Sequence, residues 1–200
     1  MGQLGLDSVA RCALASRVRA SEAAARRRTI RRDEVTLTMA NAFYVSIEGE
    51  KQGKFKGEAA FSKFGAGKIT GVAFFMETVS PRDLATGQAS GKRQHKPIRF
   101  TKEWGAASPQ LYQALVTNEV LKSVLFEFVR TDSKGAEEVH YTIKLTNASV
   151  ARVASLFDLT SRTGSRFDGH ELEQIELTFE TIELEDKAGK TSATDDWVVN

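Results

Sequence analysis

The stretch Ile98-Arg99-Phe100-Thr101-Lys102-Glu103-Trp104, leading into Ser108-Pro109-Gln110-Leu111-Tyr112-Gln113-Ala114-Leu115-Val116, decides the fold class. In its first half apolar side chains fall mostly at every second position, the period of a half-buried strand. Ser108 then offers an N-cap oxygen, and Pro109 follows where a missing N–H costs nothing. Leu111 and Leu115, joined by Tyr112 and Val116, make one apolar stripe at helical spacing. A β-rich chain with one short helix is neither a helix bundle nor a doubly wound α/β enzyme.

Outward from that stretch the period is mostly two. Phe43, Val45 and Ile47 alternate with polar residues and predict a first strand, followed by a polar loop over 50–57. Residues 68–79 read as one long strand, apolar on both faces and therefore expected to be central and covered on both sides. Residues 80–96 are polar and irregular, and loops of that length inside a domain are usually functional or disordered. Strands are predicted over 120–130, 138–147, 149–158 and 171–185, with a hairpin turn at 131–136 built on Asp132 and Gly135. In the last of these Ile175, Leu177 and Phe179 share one face, but Leu172, Ile182 and Leu184 fall on the other. Such phase breaks are what the corners of a barrel or sandwich require. Residues 187–200 read as a polar tail until Trp197.

Two hundred residues suffice for one core. The formal charge of +2 is unevenly spread: residues 1–38 carry eight Arg, no Lys and four acidic groups, and the remainder is net −2. The basic balance therefore belongs to an N-terminal segment, and a nucleic-acid partner is not expected. That segment could serve as a basic arm or a transit peptide. The switch from Arg to mostly Lys usage, with Met39-Ala40-Asn41 directly before the first strand, favours a disordered extension translated from upstream of the natural start. The domain proper is expected to occupy 39–200. Cys12 is the single cysteine, so the domain forms no internal disulfide. No run of about eighteen apolar residues exists to span a membrane, and the N-terminus lacks the apolar core of a cleaved signal peptide.

Catalytic chemistry finds no foothold. His95, His140 and His170 have no second ligand at metal spacing and read as solvated side chains. Gly65-Ala66-Gly67-Lys68 resembles the end of a phosphate loop, but Ser62 stands where its first glycine would be and Ile69 where a magnesium-binding hydroxyl would be. No Gly-x-Ser-x-Gly elbow is present. Asp195-Asp196 reads as a solvated carboxylate pair, and Asn147-Ala148-Ser149 matches a glycosylation sequon, which arises by chance as often as by purpose. No metal or cofactor is expected.

The segments 43–50 and 68–80, Lys96-Pro97-Ile98 with Thr101-Lys102-Glu103, the run 108–115 followed by Thr117-Asn118-Glu119-Val120-Leu121, the stretch 137–148 and the ending 189–197 together resemble the haemolysin-coregulated protein (Hcp) family of type VI secretion. The resemblance covers 40–198 in the family's order. It implies a mainly β fold, a compact barrel of two sheets with one short α-helix alongside. It further implies a homo-hexameric ring, stacked into a tube that a sheath propels from the cell, with spike and sheath proteins as partners and effector proteins carried in the lumen. The protein would be cytoplasmic before firing and secreted afterwards, without membrane insertion and without catalysis. Within that frame the loop 80–96 is the candidate for reaching an adjacent subunit or ring, its Arg82, Lys92, Arg93 and Lys96 facing acidic groups such as Asp195 and Asp196. The alternatives are a monomeric β-barrel that binds a small molecule and a contractile phage tail-tube protein.

Overall fold

The computed structural model describes residues 41–57, 64–132, 135–158 and 170–197. The basic extension read at 1–38 lies outside the described residues, as does the side chain of His170. Among the described residues twelve strands and one helix follow in chain order: β1 (Asn41–Gly49), β2 (Gly53–Lys54), β3 (Ile69–Gly71), β4 (Ala73–Phe75), β5 (Thr78–Val79), β6 (Gln94–His95), β7 (Ile98–Glu103), α1 (Ser108–Val116), β8 (Val120–Thr131), β9 (Glu137–Asp158), β10 (His170–Thr178), β11 (Thr181–Asp186) and β12 (Thr191–Asp196).

All pairings are antiparallel, and they close a circle. β1 pairs β8, β8 pairs β9, β9 pairs β10, β10 pairs β7 and β7 pairs β4. β3 then pairs back to β1. Only Val72 separates β3 from β4, and its N–H donates to the Thr101 carbonyl at 2.7 Å. The segment expected as one central strand over 68–79 is therefore three short strands, and it turns the corner that seals the barrel. Its two apolar faces serve different neighbours: Ile69 is buried toward β1, while Phe74 packs on the core beside β7 and Phe75 is exposed. Gly71 makes this turn possible, because a Cβ there would lie 1.9 Å from the Phe43 ring.

The strands expected separately at 138–147 and 149–158 are one strand of 22 residues, bent at Asn147, whose φ of 49° suits an Asn. Its first half pairs β8 and β11, and its second half pairs β10. The phase break read near Phe179 is the joint between β10 and β11. Beyond it, β11 and β12 form a hairpin arm, so the residues read as a polar tail include a strand. The hairpin turn between β8 and β9 is where Asp132 and Gly135 place it, with Gly135 at φ 80°.

The barrel interior is filled by alternating residues from its walls, among them Val45, Ile47, Phe100, Phe126, Leu145, Ile175 and Leu177. The helix closes one side through Leu111 and Ala114. Leu115 is half-buried against the core, whereas Tyr112 and Val116 face outward. Ser108 does not cap the helix: Ala107 is the N-cap residue and no side chain caps it.

Candidate functional site

The long polar loop folds into an ordered excursion from the barrel. β5 and β6 pair at its base, Arg82 and Ala89 form a bridge further out, and Asp83 to Gln88 makes the turn at its tip. At the base the excursion is fastened to the arm. Arg93 donates from Nε to the Asp195 carboxylate and from Nη2 to the Asp196 carbonyl. His95 contacts the same Asp195 oxygen through Nε2 at 2.8 Å and Thr78 Oγ1 through Nδ1 at 3.0 Å. Its ring packs against Phe179 and Trp197, 5.3 and 5.6 Å away, which also contact each other at 5.4 Å. His95 is thus buried and fully engaged, which corrects its reading as a solvated side chain. The guanidinium of Arg93 and the hydrogen bond to His95 hold the Asp195 carboxyl below the usual carboxylate range.

Of the six candidate residues, Arg93, Asp195 and Asp196 meet within one chain, while Arg82, Lys92 and Lys96 are exposed. The carboxylate pair at 195–196, read as solvated, belongs to this clasp. Three side chains here stand in the order hydroxyl, imidazole, carboxylate. The Thr78 contact ties β5 to β6 and the Asp195 contact locks the excursion's base against the arm.

Two buried polar clusters fix the helix side. Lys102 and Glu173, about 1% and 2% exposed, face each other from neighbouring positions of β7 and β10 at 2.8 Å. Ser108 Oγ completes the pair, donating to Glu173 at 2.7 Å and accepting from Lys102 at 3.1 Å and the Gly105 N–H at 3.0 Å. The hydroxyl expected to cap the helix is spent on a buried charge pair, which binds it more strongly than an exposed N–H would. Glu119, also buried, accepts the N–H groups of Lys51 and Gln52 at 2.7 and 2.8 Å and the Gln52 side chain at 2.9 Å. Burial alone would raise its pKa, but those donors outweigh it and hold the carboxyl below the ordinary value. Gln52 also donates to the Gln110 carbonyl, so the loop 50–57 is tied to the helix.

The outer surface carries apolar groups that the fold leaves uncovered. Trp104 and Phe157 are exposed and lie 6.2 Å apart, Leu156 is exposed as well, and Leu84 at the tip of the excursion is bare. Phe74, Phe75, Met76, Phe128, His140 and Tyr141 line a shallow, open hollow of about 440 Å³ that reaches the core residue Ile143. Among the described residues no group of three potential metal ligands occurs, and no helix is long and apolar enough to cross a membrane.

The family model described as "Type VI secretion system effector, Hcp" matches residues 44–185. The "Major exported protein" of Pseudomonas aeruginosa is 32% identical over 168 residues, covering 80% of this chain and 96% of that protein. Among solved structures, one described as an Hcp protein matches with a TM-score of 0.74 at 26% identity, over 80% of this chain and 100% of its own. A mutant Hcp1 protein of an E. coli pathovar matches with a TM-score of 0.68 at 30% identity, over 78% of this chain and 98% of its own.

Proposed function

We propose a ring-forming role for this chain on one premise: it belongs to the Hcp family of the type VI secretion system. It is a structural protein of that system, and its subunits would assemble as a hexamer whose rings stack into the expelled tube. The observation that carries this reading is the combination of a closed barrel and uncovered apolar side chains on its outside. The barrel interior is packed with apolar side chains. Trp104, Phe157, Leu84, Phe75 and Met76 remain exposed, as expected for a subunit that buries them against copies of itself. A ring repeats one heterologous contact until it closes, and a stack repeats another that does not close.

The same reading makes the role structural rather than catalytic, with secretion through the tube as the route out of the cell. It is supported by the relative named for its export. Effector proteins would travel in the lumen, and the sheath and spike proteins of the apparatus would be the partners at the tube's outside and tip. The loop 80–96 remains our candidate for contact with a neighbouring subunit, now with Arg82, Lys92 and Lys96 as the side chains that reach outward. Light scattering on the purified chain should give roughly six times the monomer mass, with hollow rings in projection images. A strictly monomeric species at micromolar concentration and low salt would overturn the proposal.

A further inference from the structure

The excursion and the outer strand of the arm are each weakly held by their own bonds. β5 and β6 meet in two residue pairs, in a sheet separate from the barrel, and so short a ladder is marginal alone. β12 pairs β11 alone among the described residues, and Thr191 to Thr194 are exposed. No residue of β5, β6 or β12 belongs to the hydrophobic core. Few buried apolar contacts place both elements at the low end of local stability.

What fastens them is shared. The Asp195 carboxylate of β12 serves Arg93 and His95 of the excursion at once. The His95 ring rests on Trp197, just beyond β12, and on Phe179, a core residue that Trp197 also touches. Phe179 is thus the fixed post for both elements. Lifting β12 would remove the carboxylate that holds Arg93 and a ring that covers His95, leaving a buried imidazole open to water. Lifting the excursion would strip the same contacts from Asp195 and Trp197. Groups that share partners in this way are coupled, so the opening of one favours the opening of the other. The tip differs from the base: Asp83 Oδ1 accepts the N–H groups of Thr86 and Ala85 at 2.8 and 3.0 Å, so it travels as a formed turn.

We propose that β12 with Trp197 and the excursion 78–96 form one latch, which opens and closes as a unit while the barrel stays folded. The last strand of the chain's described residues then sets whether the excursion is held or released. This goes beyond ring formation and does not depend on it. Amide hydrogen exchange on the full chain tests the latch with one reporter in each element: the Lys96 N–H, bonded to the Glu77 carbonyl at 3.0 Å, and the Trp197 N–H, bonded to the Glu180 carbonyl at 2.8 Å. Val124, fully buried in the core, is the reference. Arg93→Ala should speed exchange at Trp197, and Trp197→Ala at Lys96, each by about fivefold with Val124 unchanged. Trp197→Phe, which keeps a ring against His95, should restore slow exchange at Lys96. Acceleration confined to the substituted element, or none at either amide, would overturn the latch. Equal acceleration at Val124 would place the clasp inside the barrel's cooperative unit and overturn it as well. Cross-effects in a strictly monomeric protein would uphold the latch and remove the ring-forming reading alone.

Discussion

Lys102 and Glu173 show how one misplaced-looking residue organises its surroundings. Lys102 shares the core parity of Ile98 and Phe100, and Glu173 that of Ile175 and Leu177, so each charge points inward from its own strand. Neither is tolerable without the other. Lys102→Met should destabilise the fold by about 3–5 kcal/mol in denaturant unfolding, because Glu173 would stay buried without its cation. Replacing both by apolar residues should cost far less. A single-variant cost near zero would mean that water reaches the pair. Glu119 makes a prediction of a different kind. Its folded pKa is lowered, so its contribution is complete above the unfolded value of about 4.3 and is lost as pH falls through the folded value. The melting temperature of Glu119→Gln should therefore fall less on acidification from about pH 5 than that of the unaltered chain. Equal slopes would show that Glu119 titrates alike in the folded and unfolded states.

At the scale of elements, the clasp between the β5–β6 excursion and the β11–β12 arm should be separable from stability. Arg93 and Asp195 are partly exposed, so Arg93→Ala should cost less than about 1 kcal/mol overall. It should nevertheless free the excursion, and tryptic cleavage at Arg82 or Lys92 should accelerate several-fold while the barrel stays intact. Unchanged cleavage would mean that the His95 contacts hold the base unaided. Most strands were legible because one face is buried and the period survives in the sequence: Phe43, Val45 and Ile47, or Ile175 and Leu177, mark core positions directly. The corner at Val72 was not, since a run apolar on both faces describes a covered strand and a turning one equally well. β12 was hidden for the opposite reason, with Thr191, Ser192, Ala193 and Thr194 all exposed, so that no apolar period marks the strand. The clasp pairs residues about a hundred positions apart, a distance over which local pattern carries no information. In-phase opposite charges on β7 and β10 were the available signal for the buried pair.

For the molecule as a whole, the described residues from Asn41 onward contain a closed barrel with its own core. Residues 1–38 are proposed to lie outside that cooperative unit, so their removal should leave the melting temperature unchanged within error. A drop of several degrees would instead make them part of the fold. Closure pairs the strands of the barrel wall on both sides, whereas β12 pairs β11 alone among the described residues. β9 adds something that only motion would reveal. Its 22 residues, about 70 Å of extended chain, run through both the barrel and the arm, flanked by β8, β10 and β11. Its ladder bonds lie across the strand, so a pull along β9 loads many of them together in shear and does not peel them apart one at a time. In the tube role proposed above, β9 would act as a tension member of each subunit.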